Sequence, residues 1–159
     1  MLKYPQMSAE AKLKELRLEL PAPPAPGGNY LSAKIVGNLV FLAGVISTDE
    51  NGVMTGVVGA EKTIEEGYSA ARLCVLTQLA VLRQTLGSLD LVKQIVTVNG
   101  YVNTVSGFAD SPKVINGASD LLVEVFGDAG RHVRAAVGVS ALPRNALVEI
   151  QMTVRVKGS

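Results

Sequence analysis

Between Tyr30 and Val156 the apolar positions change period several times, and each change marks an element. Tyr30 to Val36 and Leu39 to Ile46 flank Gly37-Asn38, a dipeptide suited to a tight hairpin turn. The second segment is apolar at both parities, with Val40, Leu42 and Ile46 on one and Leu39, Phe41 and Val45 on the other, so it predicts a strand buried on both faces. Ile64, Tyr68, Ala71, Val75, Leu79, Leu82 and Leu86 then recur at helical spacing up to Gly87, a helix stop. Leu91 to Asn103 alternates as a strand, with Val96, Val98 and Val102 facing one way and Thr97, Asn99 and Tyr101 the other. Ser111-Pro112 opens a second helix, its hydroxyl expected to cap free amides and its proline to take the first helical position. Val114, Ala118, Leu121, Leu122 and Val125 form the buried stripe of that helix, and Gly127 ends it.

His132 to Val139 and Leu147 to Met152 are two more strands, broken at Leu142-Pro143, and together they read as a hairpin. Alternation puts Val133, Ala135, Val137 and Val139 on one face and Arg134, Ala136 and Gly138 on the other. Val148, Ile150, Met152 and Val154 are the apolar partners across the break, which leaves Glu149, Gln151 and Thr153 on the face of Arg134. Arg134 and Glu149 are therefore expected to meet. Small neighbours leave a recess there, where a planar guanidinium takes a carboxylate in two parallel hydrogen bonds. From the residues alone a structural ion pair fits the same pattern.

The order strand, strand, helix, strand, helix, strand, strand gives an α+β fold, a mixed sheet with two helices on one face. Its other face needs cover, so the chain is expected to be an oligomer whose sheets pack together. Ahead of it, Ser8 to Glu19 is amphipathic and predicts a short helix, and Pro21 to Gly28 can neither continue a helix nor pair in a central strand. Residues 1–28 thus read as a helical appendage and a Pro/Gly-rich lead-in, and 29–159 as a single domain.

Composition narrows the chemistry. Fifteen basic and fourteen acidic residues give a net charge of +1 with no long single-sign run, which is no footprint for nucleic acid. One histidine, His132, and one cysteine, Cys74, leave no material for a metal cluster, a disulfide or a Ser-His triad. Cys74 falls inside the helical stripe and reads as an inert buried thiol, while His132 reads as a surface or capping side chain at the rim of the recess. The apolar runs fall well short of the roughly 20 residues of a membrane helix, and the first residues lack a signal-peptide layout, so a cytoplasmic location is expected. Gly27-Gly28 and Gly56 to Gly59 carry no Gly-Lys-Ser/Thr pattern and are read as turns.

With Val133-Arg134, Val137, Leu142-Pro143 and Val148-Glu149-Ile150 in place, and Arg and Glu fifteen apart, the chain resembles the Rid family of YjgF-like, RidA-like reactive-intermediate deaminases, once called endoribonucleases. Tyr30 at its interval before Gly37-Asn38, Gly44 after the core of the second strand, and Asn116 in the second helix match the family as well. The likeness covers roughly Asn29 to Val156, and the additional N-terminal stretch resembles a longer subfamily. It implies a chorismate-mutase-like ββαβαββ fold in a trimeric barrel assembly, with pockets in the clefts between subunits and no metal or organic cofactor. It further implies that Arg134 clamps the carboxylate of a small enamine or imine such as 2-aminoacrylate, and that Glu149 orients water or shuttles a proton. Tyr30, Gly44, Asn116 and Ala136 would line the pocket, with His132 at its rim. The product would be a 2-keto acid and ammonia. Ala43 and Val45 stand where many members carry polar residues, which keeps a non-catalytic keto-acid-binding trimer as the alternative. An endoribonuclease is the third reading, opposed by the near-neutral charge.

Overall fold

The computed structural model of the chain describes residues 6–158. Its elements in order are α1 (Ala9–Glu15), β1 (Ala33–Val36), β2 (Leu39–Leu42), β3 (Val45–Ile46), β4 (Thr48–Asp49), β5 (Gly52–Val53), α2 (Ile64–Leu86), β6 (Val92–Asn103), α3 (Ser111–Phe126), β7 (Val133–Val139) and β8 (Val148–Val156). The main sheet runs β1-β2-β8-β6-β7 with β3 also beside β8, and β4 and β5 form a small separate ribbon. β6 and β7 are parallel, joined through α3, while the other ladders are antiparallel, so the sheet is mixed as the sequence suggests. α2 and α3 cover one face, their stripes closing on Val98, Val102, Ile150 and Met152.

The two helices cross at glycines. A Cβ on Gly117 of α3 would overlap the Tyr68 carbonyl of α2, and one on Gly67 of α2 would press into Val114. Gly100 of β6 likewise leaves room for the Ile115 side chain. Helix α2 starts with a capping box between Thr63 and Glu66 and ends at Gly87 in the left-handed region, φ 87°. The hairpin turn at Gly37-Asn38 is present, with Val36 opposite Leu39 and Gly37 at φ 61°.

The expected hairpin of the last two strands is not formed. β6 lies between β7 and β8 and pairs with both: α3 returns the chain to a parallel strand on one side of β6, and the chain then continues to the strand on its other side. Two bulges alter expected burial. Between β2 and β3 the pairing with β8 shifts by one residue, from Phe41 opposite Thr153 to Val45 opposite Ile150. Val40 and Leu42 face the helices before the shift and Val45 after it, so the apolar run at both parities records a change of phase and not two buried faces. Phe41 is exposed on the open side. A second irregularity between Ile95 and Thr97 turns Ile95 inward and leaves Val96 only half-buried, contrary to the simple alternation. Ser111 is the first residue of α3 and fully inside; Asp110 holds the cap position without a side-chain bond, and Ser111 makes none.

Helix α1 stops at Glu15, short of the expected Glu19, where Arg17 takes φ 54°. Nor does it behave as a loose appendage. Leu13 is 2% exposed within the same core as α2 and α3, and Leu16, Leu18 and Leu20 pack against it. Glu10 accepts two hydrogen bonds from Arg83, at 3.1 and 2.6 Å, and one from the Leu89 amide at 2.9 Å. The Arg83 bond holds the Glu10 carboxyl below its ordinary value of 4.5, with burial opposing and the Leu89 amide assisting.

Two measurements test this packing. Gly117→Ala should destabilise the chain by about 1–3 kcal/mol in chemical denaturation, because a rigid carbonyl cannot yield to the new methyl. Glu10→Gln should cost about 1 kcal/mol at pH 7, the pair being partly open to solvent. Since the folded carboxyl titrates below 4.5, its contribution is complete above that pH and fades as pH falls through the lower folded value; the wild type should lose its advantage over Glu10→Gln there.

Candidate functional site

Residues opposite one another in a ladder share a face, so the registers fix where each side chain points. Val98 of β6 faces Arg134 on one side and Met152 on the other, and Met152 is buried under the helices. Tyr101 faces Val137 and Glu149, and Glu149 in turn faces Ile46. Arg134 therefore rises on the helix-covered side and Glu149 on the open side. The expectation that they meet within one chain fails for the reason the hairpin fails: a strand stands between them, and its residues at 98 and 101 have opposite parity.

Arg134 sits on the edge strand and runs along the flank of α3. Its Nη1 donates to Ser119 Oγ at 3.0 Å and its Nη2 to the Pro112 carbonyl at 3.2 Å. Asn116 lies on the same flank, one turn from each, and is exposed. Ala136 is the next residue of β7 on that face, and His132 precedes the strand with Nε2 at 2.8 Å from the same Ser119 Oγ. Arg134, Asn116, Ala136 and His132 are thus brought together. Burial, with the Arg134 charge adding to it, pushes the His132 imidazole below its ordinary value, and a hydrogen bond to the Gly130 carbonyl opposes the change. Among the described residues Arg134 has no carboxylate within 4 Å, and the acceptors it does have are neutral oxygens.

Gly44 and Glu149 form a second group, at the bulge. A Cβ on Gly44 would lie 3.2 Å from Glu149 Cδ, so the glycine lets the carboxyl lie against the main chain. The bulge frees carbonyls that two glutamines take up from opposite faces. Gln78 of α2 donates to Ala43 O at 3.0 Å and Ile150 O at 2.8 Å, and Gln151 of β8 donates to Leu42 O at 3.0 Å. Burial pushes the Glu149 carboxyl above its usual range, and no basic group within 4 Å among the described residues offsets it. Tyr30 belongs to neither group. It lies ahead of β1, at the far edge of the sheet from β7, half-exposed, with its hydroxyl accepting from the Gly27 amide at 3.0 Å. Val45 packs toward the core, so its departure from a polar residue falls away from Glu149.

The family model described as "YjgF/chorismate_mutase-like, putative endoribonuclease" matches residues 10–155. The chain belongs to this family. This YjgF-like, Rid-family chain is 43% identical over 146 residues to Protein TCP17 of Trypanosoma cruzi, covering 91% of each. It is 30% identical over 139 residues to a 2-iminobutanoate/2-iminopropanoate deaminase of Dermatophagoides farinae, covering 86% of the chain and 93% of the relative. A crystal structure of an endoribonuclease-named protein from Shewanella oneidensis MR-1 superposes with a TM-score of 0.90 at 36% identity, over 94% of this chain and all of that one. The family match also takes in most of α1, in keeping with its docked position.

Ser119 and Gln78 escaped the sequence reading, and Gln151 was read only as a strand-face residue, not as a donor to the bulge. Gln78 did leave a signal, as a polar residue inside the apolar stripe of α2; Ser119 left only its helical spacing from Asn116. Cys74 is fully buried near the Val148 carbonyl, and burial pushes its thiol far up, as an inert residue requires. Among the described residues no group of three metal-ligating side chains assembles, and no helix is long and apolar enough to cross a membrane.

Glu149 yields a stability test. Its folded carboxyl titrates above 4.5, so ionising it opposes folding as pH rises through that range. Glu149→Gln should therefore melt at a higher temperature than the wild type at pH 7, and the difference should vanish below about pH 4.5, where both side chains are neutral.

Proposed function

We propose that this Rid-family chain is an enamine/imine deaminase that converts small carboxylate-bearing intermediates of the 2-aminoacrylate type into 2-keto acids and ammonia. The observation that carries the reading is Arg134. A half-buried guanidinium held by two neutral acceptors, with no carboxylate of the described residues within 4 Å, is suited to receive an anion. Of its five N–H groups the chain uses two, which leaves enough for a carboxylate in bidentate contact. The deaminase relative from Dermatophagoides farinae supports the same chemistry.

In this reading the enamine first tautomerises to the imine. Binding of its carboxylate by Arg134 aligns the C=N carbon for attack by water. Glu149, with its raised proton affinity, accepts a proton from that water and passes it to nitrogen to give a carbinolamine; a second proton, from the new hydroxyl, then moves through Glu149 to the amino group, and the C–N bond breaks as the keto C=O forms, releasing ammonia. Because Arg134 and Glu149 lie on opposite faces of one sheet, the working pocket joins Arg134, Asn116 and Ala136 of one subunit to Gly44 and Glu149 of a neighbour. A homotrimer provides this. The open sheet face that a neighbour would cover carries Val36, Phe41, Val133 and Val137, the last three in line with Thr97, Thr153 and Tyr101.

Enzymatically generated 2-aminoacrylate, followed by keto-acid release, tests the proposal. Wild-type chain should accelerate release, and Arg134→Ala should lower kcat/KM by about 10- to 150-fold, the loss of a charge-assisted contact worth about 1.5–3 kcal/mol. Binding of pyruvate without acceleration would favour the keto-acid-binding trimer instead. Light scattering should give three times the chain mass, and a monomer at micromolar concentration would remove the shared pocket.

A further inference from the structure

Among the described residues Ser119 is the side chain hydrogen-bonded to both Arg134 and His132, and the donors and acceptors around it leave its hydroxyl a single role. His132 Nδ1 lies 2.7 Å from the Gly130 carbonyl, which only accepts, so Nδ1 carries the proton. In the neutral ring Nε2 is then an acceptor, and the only proton available to fill the 2.8 Å contact is that of the Ser119 hydroxyl. With its proton committed to His132, the Ser119 oxygen turns its lone pairs toward Arg134 Nη1 at 3.0 Å. Donors and acceptors thus run one way, from Arg134 through Ser119 and His132 to Gly130. A hydroxyl left to rotate would be as ready to point its proton at the guanidinium as away from it.

The guanidinium gains direction from this arrangement. Arginine's side chain has many rotamers, and on an edge strand little else restrains it. The second anchor, the Pro112 carbonyl, belongs to the first turn of the same helix, so the two contacts hold Nη1 and Nη2 against a rigid element. The N–H groups left over then share one plane and one heading.

We propose that Ser119, its hydroxyl oriented by His132, is the positioning residue that sets the Arg134 guanidinium to receive a substrate carboxylate. The proposal rests on Arg134 being the carboxylate clamp, and its test separates the two ideas. Pyruvate binding by calorimetry and steady-state turnover of 2-aminoacrylate are measured for the wild-type assembly, Ser119→Ala, Ser119→Thr, His132→Phe, Arg134→Ala and the Ser119→Ala/Arg134→Ala double variant. Ser119→Ala should weaken pyruvate binding and raise KM by about tenfold, with kcat changed less than about twofold, the pattern of a lost ground-state and transition-state contact. Ser119→Thr, which keeps the hydroxyl, should restore both. His132→Phe, which frees the serine rotor without removing it, should fall in between. In the Arg134→Ala background the Ser119 change should add nothing, because its effect passes through the arginine.

Nitrogen NMR of His132 reads the geometry without substrate. The wild type should show a protonated Nδ1 and a bare, hydrogen-bonded Nε2, and Ser119→Ala should shift the Nε2 signal while leaving Nδ1 in place. Wild-type KM and pyruvate affinity in Ser119→Ala, beside a strong loss in Arg134→Ala, would overturn the positioning role and leave the clamp standing. Equal losses from Ser119→Ala with and without Arg134 would also overturn it. Undiminished pyruvate binding in Arg134→Ala would remove the clamp itself, and the proposal with it. Should Ser119→Ala fail to fold, Ser119→Thr and His132→Phe still decide, since the proposal requires the first to match wild type and the second to depart from it.

Discussion

The central strand governs what this molecule can do with its charges. β6 pairs with β7 on one edge and β8 on the other, so each of its residues assigns a face to one residue on either side. Val98 commits Arg134 to the helix side and Tyr101 commits Glu149 to the open side. A slip of one residue in either ladder would exchange the faces and drive buried Val102, Ile150 and Met152 toward water. The apolar core thereby locks the two charged groups apart, and the pocket of the proposed function, which needs both, would have to draw one from another subunit. Oligomer formation and catalysis would then depend on the same ladders.

The bulge between β2 and β3 adds a second constraint. It interrupts the ladder beside Gly44 and releases carbonyls that would otherwise be bonded to β8. Leaving a buried carbonyl unpaired costs about 1–3 kcal/mol, so the distortion persists only where side chains replace the lost donors. Gln78 from the helix side and Gln151 from the open side do so. The gain is a stretch of main chain at Gly44 close enough for the Glu149 carboxyl to lie along it.

Much of this was legible in the chain. The order of elements, the stops at Gly87 and Gly127, the turn at Gly37-Asn38 and the family motifs all depend on local rules that need no partner strand. What failed was long-range. Leu142-Pro143 breaks a strand, and nothing local distinguishes a hairpin from two strands that flank a third. The two irregular registers hid for a related reason: Val40, Leu42 and Val45 look like a doubly buried strand until one knows that the phase changes at Ala43-Gly44. The helix at Ala9–Glu15 looked detachable because its anchor, Glu10 to Arg83, spans more than seventy residues. Arg134, Asn116, Glu149 and Gly44 could be picked out one by one from motif, yet their grouping into Arg134 with Asn116 and Glu149 with Gly44 followed only from register and packing.

A charged group half-buried without a counter-ion is a departure from what folding alone would select. Arg134 is held by a hydroxyl and a carbonyl where a carboxylate would bind it more tightly, and Glu149 is partly buried with no basic group of the described residues within 4 Å. Each arrangement forgoes stability that a neighbouring opposite charge would supply, and the two groups sit where the sheet keeps them from supplying it to each other. Such strain is tolerated when the missing partner arrives from outside. In the proposed function that partner is the anion of a guest for Arg134 and a proton drawn from water for Glu149. Separation of the two charges by the sheet would keep both available for those roles, since a direct Arg134–Glu149 bridge would satisfy each and leave nothing with which to bind.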